Sequence, residues 1–181
     1  MYKSIKNPDE EALNLVKFNK DGNFCAACYQ LPEFKIVFLA VGDTKMKAMS
    51  EITDIKTKII ALDFDTNTQF VRMNTDKYNY LVYDLSDPKK PTKVKADAPK
   101  KVDWATHSLP FSPETQAIMT EGVVEEDIVC CERSRKYKNV FVVGDKYSKI
   151  KLFNYPSVTN PIFSRYVGHS NDVSGVQFNR D

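Results

Sequence analysis

The chain has 181 residues, of which 42% are hydrophobic and 28% are charged, and its net charge is +2. This composition predicts a folded protein, and the near-neutral charge gives no case for a nucleic-acid partner. The longest apolar run, Ile36 to Val41, has six residues, whereas a membrane-spanning helix needs about 20. No apolar stretch follows Met1, so we predict neither a secretory signal peptide nor a membrane partner.

Short apolar runs bounded by Asn, Asp, Gly, Lys or Pro recur along the chain and predict β-strands. They form three groups, at residues 13–18, 24–29 and 34–41, at 59–64, 69–73 and 80–85, and at 127–132, 140–143, 150–153 and 163–167. A further run at 173–178 is predicted to open a fourth group. Alternation along 59–64 predicts that Ile60, Leu62 and Phe64 share one face. Only 121–127 has a composition that favours a helix.

The first strand of three groups ends in a similar pattern, which indicates an internal repeat. The pattern is Val16-Lys-Phe18-Asn-Lys-Asp21, then Leu62-Asp-Phe64-Asp-Thr-Asn67, and finally Val176-Gln-Phe178-Asn-Arg-Asp181. Phe18 and Phe64 are 46 residues apart, and Arg133, the matching position of the third group, lies 45 residues before Phe178. A period of about 45 residues with three or four short strands per repeat is typical of β-propeller blades.

The interval from Phe64 to Arg133 is 69 residues, and its excess lies in residues 86–120, which are rich in Pro and Lys. We therefore predict an all-β fold, a partial β-propeller of about three blades plus the first strand of a fourth. Residues 1–181 form one incomplete propeller, with blades at about 12–50, 57–85 and 127–167, an inserted basic loop at 86–120, and the start of the next blade at 172–181. Because a closed ring needs about four to eight blades, we expect a longer protein or a second chain to complete it.

The four cysteines, Cys25, Cys28, Cys130 and Cys131, are predicted to be reduced and structural. Cys25-Ala-Ala-Cys28 has CxxC spacing, but it lies in a predicted strand, where residues i and i+3 point to opposite faces. The sequence has no second CxxC, so no metal site is predicted.

The sequence contains no Walker loop and no G-x-G-x-x-G, H-E-x-x-H or G-x-S-x-G pattern. Its two histidines, His107 in Thr-His-Ser and His169 in Gly-His-Ser, lie outside these motifs. The adjacent acids Glu125, Glu126 and Asp127 are typical of a solvated loop rather than of a positioned acid and base. We predict a protein that is not an enzyme and that uses no cofactor.

Six lysines fall within 13 residues, and they are Lys89, Lys90, Lys93, Lys95, Lys100 and Lys101. Pro88 precedes them, Pro91 and Pro99 lie between them, and all three favour an extended backbone. Clustered positive charge attracts an acidic surface, whereas RNA is disfavoured because the segment has no aromatic residue for stacking. The alternative is a solvated loop that binds no specific partner. A weaker basic run, typical of a solvated turn, comprises Arg133, Arg135, Lys136 and Lys138.

Several dipeptides of the chain resemble those of WD repeats. Gly168-His169 precedes a predicted strand, as the Gly-His of a WD repeat does, and Tyr83-Asp84 and Phe153-Asn154 stand in place of Trp-Asp. The resemblance implies that His169 joins a buried hydrogen-bond network, with Asp172 and Ser170 as partners.

A narrower resemblance covers residues 102–178. Val102-Asp-Trp104-Ala is followed by Lys151-Leu-Phe-Asn-Tyr-Pro156, by Tyr166-Val-Gly-His-Ser170 and by Asp172-Val-Ser-Gly-Val-Gln-Phe178. This order resembles the second propeller of the echinoderm microtubule-associated-protein-like family. The resemblance implies a WD-repeat propeller in which Trp104, His169 and Asp172 belong to the structural network of the blades. The chain departs from the family pattern at Ala117-Ile-Met-Thr120, where the family has Gly-Ile-Trp-Pro.

The resemblance also implies a non-enzymatic, microtubule-associated protein that acts as a structural or scaffolding module. Its expected partners are tubulin and other cytoskeletal or axonemal proteins, and its expected location is the cytoplasmic cytoskeleton, including the ciliary axoneme. The six lysines of the basic segment are the predicted contact with acidic tubulin. The alternative is a generic WD-repeat scaffold for protein interactions that does not bind tubulin directly.

Overall fold

The computed structural model describes residues 12–97, 101–119 and 128–179. Within these ranges, twelve strands form three four-stranded antiparallel sheets, and in each sheet every strand pairs with its neighbours in sequence. Three such sheets are the blades of a partial β-propeller, so the predicted fold class is confirmed. The chain divides into two compact units, Met1–Ala105 and Thr106–Asp181.

The first unit contains two of the sheets. The strands of the first sheet are β1 (Leu13–Phe18), β2 (Phe24–Tyr29), β3 (Lys35–Val41) and β4 (Met46–Ile52). The strands of the second sheet are β5 (Ile59–Phe64), β6 (Phe70–Thr75), β7 (Tyr80–Asp84) and β8 (Thr92–Val94). The stacked rings of Phe24 and Phe38, with centroids 5.8 Å apart, meet Phe64 edge-on and form the centre of this unit's core.

The second unit contains the third sheet and a short 3₁₀ segment that is kinked at Thr115. Its elements are the helix Pro113–Met119 and the strands β9 (Ile128–Arg133), β10 (Val140–Asp145), β11 (Lys149–Asn154) and β12 (Phe163–Val167). Ile118 of the helix packs with Phe141 of β10 and Phe153 of β11, so the helix covers one face of the sheet.

A buried polar residue caps the first hairpin of each sheet at the position that the repeat aligns. Asn19 Oδ1 accepts a hydrogen bond from Phe24 N at 3.1 Å, and Asp65 Oδ1 accepts one from Phe70 N at 2.8 Å. In the third sheet, Ser134 Oγ accepts one from Tyr137 N at 2.9 Å. These three residues directly follow Phe18, Phe64 and Arg133, so the repeat recognised in sequence corresponds to a repeated turn.

The sequence does not predict two of the outer strands, β4 and β8. β4 lies in a polar stretch, and β8 lies inside residues 86–120, where the sequence predicts a loop. An edge strand pairs on one side only and packs little of its surface, so neither of its faces needs apolar residues. The alternation that identifies central strands is therefore missing from both segments.

The prediction that Ile60 shares a face with Leu62 and Phe64 is wrong. Ile59 is buried with Leu62 and Phe64, whereas Ile60 is 37% exposed. The pairing of β5 with β6 shifts register between Ile59 and Ala61, which is a β-bulge. The extra residue reverses the order of faces before the bulge.

The predicted strand at 173–178 is absent, because residues 171–179 pair with no sheet in the described structure. Several contacts still hold this stretch, including a hydrogen bond from Cys130 Sγ to the Val173 carbonyl at 3.2 Å. Val173 N donates to the Asp145 carbonyl at 3.1 Å, and Phe178 N donates to the Glu132 carboxylate at 2.6 Å. The predicted helix-favouring segment 121–127 lies outside the described residues.

Candidate partner-binding surface

Two acidic side chains, Asp84 and Asp87, hold the turn that leads into the basic segment. Asp84 Oδ1 accepts a hydrogen bond from Ser86 N at 2.7 Å, and Asp87 Oδ1 accepts one from Lys89 N at 3.0 Å. The Asp87 carbonyl also accepts from Lys90 N at 2.9 Å, which closes a tight turn before β8. Side-chain bonds of this kind favour turns over extended pairing. The turn therefore presents a defined stretch of chain to solvent.

A hydrogen bond from the first sheet fixes this turn further. Ser50 Oγ on β4 donates to the Pro88 carbonyl at 2.6 Å. Pro88 directly precedes the paired lysines, so this contact sets the position from which Lys89 and Lys90 project.

Five of the six predicted lysines lie in the described structure, and all five are exposed. We call them the lysine strip, which comprises Lys89, Lys90, Lys93, Lys95 and Lys101. Among the residues that the structure describes, none of the five forms an ion pair. Lys100 lies outside the described residues. The ammonium groups of the strip are therefore available to an acidic partner.

Lysine on an outer strand has a second physical role. Lys93 lies on β8, opposite Tyr83 of β7, and β8 is the edge of the second sheet. Charged side chains on edge strands prevent other strands from adding to the sheet. The position of Lys93 is thus consistent both with partner binding and with protection of the edge.

A polar cleft of about 500 Å³ adjoins this turn within the first unit, and it is lined by parts of residues 19–24, 67–69 and 85–88. Its amides already bind one another, because Asn19 Nδ2 donates to Asn23 Oδ1 at 2.8 Å and lies 2.9 Å from Thr68 Oγ1. These bonds join the β1–β2 turn to the β5–β6 turn, so the lining serves first to hold the two turns together.

Trp104 lies in a buried charged cluster of the first unit. Its ring is 8% exposed, and the guanidinium carbon of Arg72 lies 4.4 Å from the ring centroid. Arg72 Nη2 donates to Asp63 Oδ2 at 3.3 Å, and Lys17 Nζ lies 3.7 Å from Asp63 Oδ1. Stacking on the indole covers one face of a guanidinium that is fully buried.

The backbone beside Trp104 continues the second sheet. Ala105 N donates to the Phe64 carbonyl at 2.9 Å, and Thr66 N donates to the Asp103 carbonyl at 2.8 Å. A single bridge pairs Trp104 with Asp65. Residues 103–105 therefore run antiparallel to the end of β5, and Trp104 takes part in the structure of this blade.

His169 and Asp172 do not take the positions predicted for them. Both are exposed, as is Ser170, so the expected buried network around His169 is not found in the described structure. The Asp172 backbone amide bonds the neighbouring Asn171 side chain at 2.9 Å. The strand expected after them is unpaired, so no sheet covers them. The residue of this stretch that is buried is Val173, which packs on Gly144.

His107 and Tyr155 form a contact that sequence reasoning missed. Arg133 Nη1 donates to His107 Nε2 at 2.8 Å, and the Arg133 guanidinium carbon lies 4.3 Å from the centroid of the Tyr155 ring. His107 Nδ1 lies 3.3 Å from Tyr155 Oη. Because arginine only donates, Nε2 accepts and the ring proton is on Nδ1. Tyr155 of the Lys-Leu-Phe-Asn-Tyr-Pro motif thus supports Arg133.

The contact of Arg133 with His107 and Tyr155 distinguishes Arg133 from the other residues of the weaker basic run. Arg133 is held by His107 and Tyr155, and its Nε also donates to the Lys138 carbonyl at 2.7 Å. Arg135, Lys136 and Lys138 are exposed on the turn that follows β9. Arg133 therefore stabilises the turn, while the other three project into solvent.

The cysteines lie as the strand prediction required. Cys25 and Cys28 belong to core clusters on opposite faces of the first sheet. Burial raises the pKa of the Cys28 thiol to about 12, and it also raises the pKa of Cys130. Within the described residues, no group of three or more His, Cys, Asp or Glu side chains could hold a metal ion. No helix in the described ranges has the length and hydropathy to cross a membrane.

A family model described as the echinoderm microtubule-associated protein second beta-propeller matches residues 2–181. Echinoderm microtubule-associated protein-like 4 from Homo sapiens is 26% identical over 176 residues, which cover 97% of this chain and 18% of that protein. Echinoderm microtubule-associated protein-like 2 from Rattus norvegicus is 27% identical over 97% of this chain and 27% of its own length. The chain thus spans about a fifth to a quarter of the length of these curated relatives.

Solved structures give a more distant likeness. The Pseudomonas aeruginosa periplasmic gluconolactonase PpgL covers 91% of this chain with 42% of its own, at a TM-score of 0.46 and 12% identity. Similarity at this level has no bearing on activity.

Proposed function

The chain belongs to the echinoderm microtubule-associated protein family, within its second β-propeller, and from this premise we propose that it is a non-enzymatic, microtubule-associated module. The lysine strip is the observation that carries the proposal. Its five exposed ammonium groups have no ion-pair partner in the described part of the chain, and microtubules present an acidic outer surface and acidic tails. Complementary charge accelerates association and selects the partner.

The proposed role is structural or scaffolding. A hydrophobic core shared by the first two blades stabilises them, and the Ser50 contact to Pro88 fixes the turn that carries Lys89 and Lys90. A turn fixed in this way presents its charges to a lattice at little cost in entropy. The setting that we propose is the cytoplasmic cytoskeleton, with axonemal microtubules and other axonemal proteins as specific cases.

A non-enzymatic role also agrees with the surroundings of His107. Its imidazole contacts Arg133 and Tyr155, and its Nε2 lone pair, which a general base would use, already accepts a hydrogen bond from Arg133 Nη1. A general base has to lie within hydrogen-bond reach of the group that it activates. The alternative function is a WD-repeat scaffold that binds other folded proteins and has no direct affinity for tubulin.

Co-sedimentation with polymerised microtubules, over a series of salt concentrations, tests the proposal. The variant Lys89→Glu/Lys90→Glu/Lys95→Glu reverses three charges and leaves the pairing of β8 unaltered. We expect its apparent affinity to fall by about tenfold or more, because three exposed attractions become repulsions. The salt dependence of the remaining binding should also flatten.

Arg135→Glu/Lys136→Glu/Lys138→Glu is the matched control, because it changes the net charge equally on another exposed turn. We expect the control to pellet as the unaltered chain does. Equal losses in both variants would mean that net charge alone drives binding. A folded unaltered chain that fails to pellet at any salt concentration would favour the generic scaffold.

A further inference from the structure

Thr92 lies within the lysine strip and has the features of a modification site. It is exposed and is the first residue of β8, in the sequence Lys89-Lys90-Pro91-Thr92-Lys93. Two positive charges stand two and three positions before its hydroxyl group. Pro91, which lies between Lys90 and Thr92, favours an extended backbone.

The strand that begins at Thr92 is easily detached. β8 has three residues, and it pairs with β7 on one side only. Short, exposed strands at a sheet edge open locally at much lower free energy than core strands do. An enzyme that needs an extended substrate segment can therefore reach Thr92 without unfolding the sheet.

We propose that Thr92 is phosphorylated by a serine/threonine kinase whose substrate groove is acidic. Opposite charge between groove and substrate is a common source of kinase specificity, and Lys89 and Lys90 supply it here. In the reaction, the Thr92 hydroxyl oxygen bonds to the γ-phosphorus of ATP. The bond from that phosphorus to ADP breaks, and the hydroxyl proton passes to the kinase's catalytic carboxylate.

The phosphate has two consequences for the surface. It adds a charge of about −1.5 to −2 at pH 7, which cancels up to two of the lysine charges. Asp84 is the cross-strand partner of Thr92, so the phosphate also lies beside a carboxylate. Like charges directly opposite each other destabilise strand pairing, so phosphorylation loosens β8 from β7. Both effects weaken the attraction of the lysine strip for an acidic partner, and this regulatory consequence rests on the proposed function.

Thr44 provides an internal comparison. It is exposed and lies between β3 and β4, as Thr92 follows the connection between β7 and β8. The residues two and three positions before it are Gly42 and Val41, and Asp43 precedes it directly. Exposure alone would make the two threonines equal substrates, whereas recognition of charge favours Thr92.

The first experiment incubates the full chain with ATP, Mg²⁺ and the catalytic subunit of cyclic-AMP-dependent protein kinase, which selects basic residues before the acceptor. Phosphorylated residues are mapped by mass spectrometry. We expect phosphate at Thr92, loss of that signal in Thr92→Ala, and no change in Thr44→Ala. Lys89→Ala/Lys90→Ala should slow modification of Thr92 by about tenfold. Equal modification of Thr44 and Thr92, or none at Thr92, would overturn the assignment.

The second experiment measures the effect of the phosphate on binding, with immobilised poly-glutamate as the acidic probe and microtubules in parallel. We expect the phosphorylated chain to elute from poly-glutamate at lower salt than the unmodified chain. Elution at the same salt would contradict the regulatory consequence. If poly-glutamate binding responds and the unmodified chain does not pellet with microtubules, the regulation of the strip stands and the proposed function fails.

Discussion

The sequence predicts that Trp104 and His169 belong to the same structural network, but the structure buries Trp104 and exposes His169. Residues 103–105 pair with the end of β5, and Trp104 is buried against Arg72. Residues 168–172 are exposed, and the stretch after them pairs with no described sheet. Trp104 is therefore buried because its segment pairs with a strand, whereas His169 is exposed because no strand covers its segment in the described structure.

Two single substitutions, Trp104→Ala and His169→Ala, test this difference in burial. Trp104→Ala should lower the free energy of unfolding of the first unit by about 3 to 5 kcal/mol, because it creates a cavity and uncovers a buried guanidinium. His169→Ala should change stability little, because the imidazole is exposed. Urea unfolding followed by circular dichroism measures both, since Trp104 is the only tryptophan and its loss removes the fluorescence signal. Similar costs for the two variants would show that the segments are equally integrated.

The next prediction concerns the contact between Val173 and Gly144, one of the places where the stretch after His169 is held. A Cβ atom on Gly144 would lie 2.6 Å from Val173 Cγ1 and 2.8 Å from Cys130 Sγ. Gly144→Ala should therefore destabilise the second unit by about 1 to 3 kcal/mol through overpacking. Thermal unfolding followed by circular dichroism gives the change.

Val173→Ala provides the control for this overpacking, because it removes Val173 Cγ1, the atom nearest to the new Cβ. In the double variant Gly144→Ala/Val173→Ala, the cost should be smaller than the sum of the single costs by about 0.5 kcal/mol or more. Additive costs, or no cost for Gly144→Ala alone, would mean that Val173 moves aside freely.

The smallest predicted effect is a loss of stability at alkaline pH, caused by the buried thiol of Cys28 in the first unit. Burial raises the pKa of Cys28 from its ordinary value of 9.0 to about 12. Above pH 9 the unfolded chain loses this proton while the folded chain keeps it, so stability is full below pH 9 and falls as pH rises toward 12. Cys28 alone should lower the free energy of unfolding by about 1 kcal/mol between pH 9 and pH 10.

Urea midpoints at pH 8, 9 and 10, followed by Trp104 fluorescence, report this change for the first unit. Cys28→Ala should flatten the alkaline decline, whatever its effect on stability at pH 8. Cys130→Ala should leave it unaltered, because Cys130 lies in the second unit beside Val173 and is only half-buried. A decline that persists in Cys28→Ala would assign the effect to another group, such as Tyr83, whose pKa is also raised by burial.

Sequence reasoning recognised the central strands because their surroundings impose a pattern. β2 and β6 are buried almost throughout, and both were predicted from short apolar runs, although β6 also buries Arg72 and Asn74. β4 and β8 were missed because outer strands tolerate lysine, serine and glutamate. The basic residues were visible as a run of charge, whereas the support that fixes them, such as Ser50 on Pro88, comes from a residue 38 positions away.

The first strand of the repeat shows which features follow from the sequence and which depend on tertiary packing. The period predicts that Asn19, Asp65 and Ser134 occupy corresponding hairpin turns, and in each turn the polar side chain accepts a backbone hydrogen bond. Phe18 and Phe64 also occupy equivalent positions, but Phe64 is 1% exposed against Phe24 and Phe38, while Phe18 is 46% exposed. This difference results from tertiary packing, because burial depends on which sheet packs across a residue and not on the local pattern that places it in a strand.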